Sequence, residues 1–160
     1  MSRFNPIEFL NLAESLYKDA KYAQLGEARD RTSISRAYYA TFLHLREAIK
    51  ININSTFPPE YTSKFETISQ KGVIHRCVLD IVRQLDLTSG MQFGKLMQLR
   101  RVADYELDKK IRLPQVKEAI GLAKELTRRS RVLMQGFSTK SLSIKQVILR
   151  IYEKIITRGK

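Results

Sequence analysis

Apolar residues recur along the chain at the three-and-four spacing that turns one side of an α-helix toward a core. The first such run begins near Pro6, since proline is tolerated in a first turn where its missing N–H has no partner to lose. It carries Phe9, Leu12, Ala13, Leu16, Ala20 and Ala23, with Gly26 marking its end and GEARD as a polar connection. A second helix is predicted from about Thr32 to Lys50, capped by Asp30 or Thr32. Its apolar positions Ile34, Ala37, Tyr38, Ala40, Phe42, Leu45, Ala48 and Ile49 cover much of its circumference, as expected of a central helix with several neighbours. Residues 51–60 break the pattern, and Pro58 and Pro59 deny a helix interior, which predicts a loop there.

A third helix is read from about Val73 to Leu87, using Val73, Ile74, Cys77, Val78, Ile81, Val82 and Leu85, with Thr88-Ser89-Gly90 as its stop. The fourth runs from about Phe93 to Leu107 through Leu96, Met97, Leu99, Val102 and Ala103. Pro114 starts a fifth, with Val116, Ala119, Ile120, Ala123, Leu126 and Leu133 inward and Gly136 as its stop. In the last segment Ser143 and Gln146 have capping-box spacing, and Ile144, Val147, Ile148, Ile151 and Ile155 form an apolar stripe. The expected fold is therefore all-α: an antiparallel up-and-down bundle of five main helices (residues 1–136) plus a basic amphipathic C-terminal helix (137–160).

Composition sharpens this picture in three ways. A chain of 160 residues with 43% hydrophobic residues, four prolines and seven glycines suits one helical domain. The charge is lopsided, 29 Lys and Arg against 16 Asp and Glu for a net +13, which points to a polyanionic partner such as RNA, DNA or an anionic membrane surface. Residues 138–160 concentrate it, with six basic side chains against Glu153 alone. Such a tail can dock on its own bundle, a partner protein, a membrane surface or RNA. The single Cys77 allows no internal disulfide and sits among Ile74, Val78 and Ile81 as a buried thiol rather than a nucleophile. The N-terminal residues lack the apolar core of a secretory signal, and no stretch reaches the ~18 apolar residues of a membrane span, so the cytoplasm is the expected address.

Three stretches form a recognisable set. Ser35-Arg36-Ala37-Tyr38-Tyr39-Ala40 with Phe42, His75 followed by Val78-Leu79 and Val82, and Leu99-Arg100-Arg101 followed by Ala103-Asp104-Tyr105 occur in this order with sensible spacing. Together they resemble the SRAYYA-x-F, H-x-x-V-[IL]-x-x-F and L-R-x-x-ADY motifs of a subfamily of the HEPN superfamily, over about residues 8–134. The resemblance implies an antiparallel helical bundle that dimerises. Such proteins occur in toxin–antitoxin and antiviral systems, often beside a nucleotidyltransferase. Active members are metal-independent ribonucleases in which an arginine, four to six residues before a histidine, steadies the transition-state charge while the histidine moves a proton. Here the count from Arg100 reaches Tyr105 and from Arg101 reaches Glu106, and no histidine follows. A phenol is a poor proton shuttle at neutral pH.

The remaining chemistry is sparse. His44, between Leu43 and Leu45, reads as a part-buried imidazole, and His75 as either a helix-start hydrogen bond or a group near Arg36 or Arg100. Arg36, on an apolar helix, needs a carboxylate, for which Asp104 is the candidate. Arg100, Arg101, Tyr105 and His75 are the catalytic candidates. Arg128, Arg129, Arg131, Lys140, Lys145, Arg150, Lys154 and Arg158 are the nucleic-acid-binding candidates. No Glu-x-x-His pair, Walker loop, GxGxxG or GxSxG element occurs, so neither metal nor cofactor is expected. Three functional readings follow. The first is an RNA-binding, non-catalytic component of a toxin–antitoxin or defence assembly, partnered by an antitoxin or nucleotidyltransferase. The second is a toxin ribonuclease with an atypical site. The third is a homodimeric scaffold that recruits a partner protein through its basic tail.

Overall fold

In the computed structural model, which describes residues 4–158 (the Arg158 side chain excepted), the described residues are predominantly helical and contain no strand. Seven α-helices follow one another: α1 (Ile7–Lys18), α2 (Gly26–Thr56), α3 (Pro59–Gln70), α4 (Ile74–Leu85), α5 (Leu87–Tyr105), α6 (Leu113–Gln135) and α7 (Ser141–Arg158). A short 3₁₀ helix, Ala20–Leu25, joins α1 to α2. None of the described helices is long and apolar enough to cross a membrane.

Several boundaries differ from the expected ones, each for a local reason. The first run breaks at Asp19, whose extended backbone ends α1 and whose carboxylate accepts the Lys21 N–H to start the 3₁₀ turn. Gly26 is a start and not a stop: at φ 53° and ψ −134° it turns the chain through a conformation closed to other residues, and α2 begins there. At its other end α2 continues through Asn52 and Ser55, whose side chains bond back to the Ala48 and Asn52 carbonyls, to Thr56. The expected loop shrinks to Phe57–Pro58, because Pro59 occupies the first turn of a further helix, α3, that buries Phe65 and Ile68. Thr88-Ser89-Gly90 is likewise the opening of α5, capped by Asp86, whose Oδ2 accepts the Ser89 N–H at 2.8 Å. In α7 the capping box does not form; Ser143 donates instead to the Lys140 carbonyl at 3.0 Å.

The chain divides into two compact units. One holds the described residues through His44 together with Gln92–Arg128; the other holds Leu45–Met91 and the described residues from Arg129 onward. In the first unit Leu10, Ala13, Ile34, Leu96, Val116 and Ala123 are buried. Tyr38, 1% exposed, stacks on Phe42 at 6.0 Å and on Phe93 at 5.8 Å between ring centres. In the second unit α3, α4 and α7 pack on one another. Ile68, Cys77, Val78, Ile81, Ile144 and Ile148 are buried there, and Phe57 meets Phe137 at 5.4 Å. Ile144, Val147 and Ile148 of α7 are buried where that helix packs on α3 and α4, so residues 141–158 are an integral wall of this unit.

Candidate functional site

Two of the three motifs meet in the first unit, where α2 and α5 bring them together around Arg100. Its side chain is 17% exposed. Its Nη2 donates to the Tyr39 hydroxyl and to the Tyr105 hydroxyl, each at 2.9 Å. Its Nε lies 2.6 Å from Asp104 Oδ2, one helical turn along α5. The N–H does not point along that line, so this contact is an ion pair without a directed hydrogen bond. Three phenol rings surround the guanidinium, with centres at 5.7 Å for Tyr38, 5.3 Å for Tyr39 and 4.8 Å for Tyr105. Burial works against the Arg100 charge, but Tyr39, Asp104 and Tyr105 outweigh it and hold its pKa above the ordinary value. Burial likewise pushes the Tyr38 phenol upward, so that side chain stays neutral in the core.

Asp104, the expected partner of Arg36, carries Arg100 and the Ser35 hydroxyl, which donates to Oδ2 at 3.3 Å. Arg36 instead lies over the rings of Phe9 at 4.9 Å and Tyr39 at 5.5 Å, an arrangement suited to its flat, weakly hydrated guanidinium. Its Nε is buried and has no hydrogen-bond partner among the described residues. Arg101 points outward, 61% exposed, and pairs with Glu106 at 3.1 Å. Tyr105 is exposed while its hydroxyl is held by Arg100. His75 is in the other unit, in the first turn of α4.

The first unit also contains a part-buried arginine, Arg31, that the sequence pattern did not single out. Arg31 Nη1 donates to the carbonyls of Ala103 at 2.9 Å and Val102 at 3.2 Å, and Nη2 donates to that of Lys109 at 2.5 Å. Glu27 closes the clamp by accepting from Arg31 Nη2 at 2.7 Å and from the Ile111 N–H at 3.0 Å. These carbonyls lie at the end of α5 and in the connection after it, where a cation also suits the helix C-terminus. The i, i+4 spacing of Glu27 and Arg31 was visible in the sequence, but inside a stretch read as connection.

The basic candidates are dispersed. Arg128 pairs with Glu125 at 2.8 Å, Arg129 lies 3.8 Å from Asp86, and Arg131 and Lys140 are exposed. Lys145 sits over the Phe57 and Tyr61 rings at 5.1 and 5.3 Å. The Arg158 side chain lies outside the described residues. Arg150 and Lys154 face a different arrangement. Asp80 on α4, its side chain 10% exposed, accepts from Arg76 Nε at 3.1 Å and from Arg150 Nη2 at 3.2 Å, with Arg83 at 3.5 Å. The Arg76, Asp80 and Arg83 spacing on one helix was the available signal for this cluster. Cys77, one position along, is buried, and burial pushes its thiol up to about 12, with Asp80 adding to the shift. Among the described residues no group of three or more His, Cys, Asp or Glu side chains is placed to hold a metal ion.

No family model matches the chain, and no solved structure gives a significant match. The sequence is 31% identical over 123 residues to the uncharacterized protein MJ0628 of Methanocaldococcus jannaschii, an alignment spanning 73% of this chain and 72% of that protein. With that identity over more than two thirds of each protein, the chain belongs to the same family as MJ0628.

Proposed function

We propose that the chain is a HEPN-like RNA-binding protein and a non-catalytic component of a toxin–antitoxin or defence assembly. In this reading the helices form an antiparallel up-and-down bundle that pairs with a second copy, and an antitoxin or nucleotidyltransferase completes the assembly. The observation that carries the reading is the state of Arg100. Its guanidinium is engaged by Asp104, Tyr39 and Tyr105, and no histidine stands at the spacing that supplies a proton shuttle in active HEPN relatives. General acid–base help is worth about 10²–10⁴-fold, and its absence leaves an RNA-binding surface without an efficient ribonuclease. The net charge of +13 supports a phosphate-backbone partner.

The test uses the full chain with total RNA and tRNA. Binding measured against salt should weaken steeply. Removing exposed charges that hold no core contact, as in Arg131→Ala with Lys140→Ala, should reduce the salt slope by about one per lost phosphate contact. Deleting α7 would not serve, since that helix packs on α3 and α4. Salt-insensitive binding would count against the RNA reading and favour the scaffold. RNA cleavage in EDTA that is abolished by Arg100→Ala or Tyr105→Phe would establish a ribonuclease with an atypical site, and the non-catalytic reading would fall.

A further inference from the structure

In the second unit, α4, α7 and the end of α3 line a half-open cavity of about 570 Å³. That volume lies within the ~300–1,000 Å³ typical of small-molecule sites. It is several times larger than a bare phosphate needs. Four cations line it: Lys71 at the end of α3, Arg76 on α4, and Arg150 and Lys154 on α7. One carboxylate, Asp80, faces them.

Asp80 cannot neutralise this set, and its main effect is to hold it in place. The buried carboxylate takes one edge of each guanidinium, Nε of Arg76 and Nη2 of Arg150. The rest of both forks remains accessible, since the Arg76 side chain is 64% and the Arg150 side chain 58% exposed. Two planar donor sets fixed by a shared acceptor suit the oxygens of a phosphate better than mobile surface lysines do, because less side-chain freedom is lost on binding. Lys71 and Lys154 add two point charges. The rest of the lining is apolar: Val73, Ile151 and Ile155. A phosphodiester strand tracking a surface would have little use for that wall, whereas a ligand with a compact apolar or flat body would.

We propose that this cavity binds a small organic phosphate the size of a nucleoside diphosphate, its phosphates against Arg76, Arg150, Lys71 and Lys154 and its body against Val73, Ile151 and Ile155. The proposal stands apart from the RNA reading, and its test separates the two. Calorimetric titration of the full chain at low salt uses three probes: ADP, inorganic pyrophosphate and adenosine. ADP should saturate one site per chain, pyrophosphate should bind at least tenfold more weakly, and adenosine should not bind measurably. Lys71→Ala with Lys154→Ala, both exposed positions whose loss spares the fold, should weaken ADP at least tenfold. Arg150→Ala should do the same with an unchanged far-ultraviolet circular dichroism spectrum, because Arg76 and Arg83 still pair Asp80. Lys140→Ala, away from the cavity, should leave ADP binding intact. Absence of saturable ADP binding, equal affinity for ADP and pyrophosphate, or ADP binding indifferent to the Lys71 and Lys154 substitutions would each overturn the proposal. A 5′-phosphorylated RNA that depends on these two lysines while ADP does not bind would overturn it in favour of an RNA interface.

Discussion

Replacing Arg31 by alanine removes a cation that is 16% exposed and holds the Val102, Ala103 and Lys109 carbonyls, with a longer contact to that of Glu106, across the end of α5 and the connection after it. Hydrogen bonds to charged groups contribute about 1.5–3 kcal/mol each, and a cation at a helix C-terminus a further ~0.3–1 kcal/mol. Counting only the two short bonds, to Ala103 and Lys109, at the low end of that range gives a destabilisation of about 3 kcal/mol. The site lies near enough to the surface for water to recover part of the loss, so larger values are not expected. Urea unfolding followed by circular dichroism should show the midpoint falling by about 1.5 M, for a slope near ~2 kcal/mol/M. Arg31→Lys keeps the charge but cannot reach three carbonyls with a forked donor set, and should recover no more than about half of the loss. Amide exchange gives a local readout: the last turn of α5 should open faster in Arg31→Ala while α7 is unchanged. A destabilisation within the ~0.5 kcal/mol of an ordinary surface substitution would refute the clamp.

Three further outcomes follow from the geometry. A Cβ on Gly90 would lie 2.4 Å from Arg83 Cγ and 2.8 Å from Arg83 Cα, and since that backbone atom cannot swing aside, Gly90→Ala should cost about 1–3 kcal/mol; an unchanged melting temperature would refute the close approach. Burial lowers the proton affinity of His44 below its ordinary 6.5, so the unfolded chain binds the proton more readily. The stability tied to His44 is therefore complete above that pH and declines as pH falls from it toward the folded value; His44→Gln should flatten this part of the profile, and an undiminished slope would refute it. Cys77, its thiol pushed up to about 12, should react with an aromatic disulfide reagent no faster than the chain unfolds, and rapid labelling of the native protein would contradict its burial.

What the sequence made legible was what periodicity encodes. The apolar faces of α2, α4, α6 and α7 were readable because each buries residues at helical spacing. Helix α3 was not: in its 12 residues only Phe65 and Ile68 are buried, and Pro59, read as a breaker, is a helix starter. Gly26 and Ser89 were misplaced for a related reason. A glycine at positive φ serves equally to leave a helix or to enter one, and whether a Ser–Gly pair ends α4 or opens α5 depends on Asp86, which the pattern ignored. At the site, the contact expected between the motifs of α2 and α5 was Arg36 with Asp104, whereas the cluster that forms joins Ser35, Tyr39, Arg100, Asp104 and Tyr105. The partner of Asp104 was the part that did not follow. Arg100 is one turn away on the same helix and reaches the carboxylate without ordering a second element, whereas Arg36 would have had to reach it from α2.

The two acidic residues at these clusters divide the work of the positive charge differently. In the first unit Asp104 meets Arg100 one to one, in a nest of tyrosines that shields the pair, so the motif arginine brings little field to the surface. In the second unit one buried carboxylate, Asp80, is shared by Arg76, Arg83 and Arg150, with Lys71 and Lys154 lining the same cavity. A shared carboxylate orders its cations without cancelling them, which is the condition for an anion to gain from binding there: the donors are already placed and the charge is still unspent. The same asymmetry sets what substitution at each place should disturb. Removing Asp104 leaves one part-buried arginine without its counter-charge and perturbs the first unit's packing. Replacing Asp80 by asparagine should leave three arginines repelling one another around a buried amide, so its cost in stability should fall as salt screens them. Urea unfolding of Asp80→Asn and the parent at low and at ~1 M salt measures that difference, and a cost independent of salt would show that packing, and not charge sharing, is what Asp80 supplies.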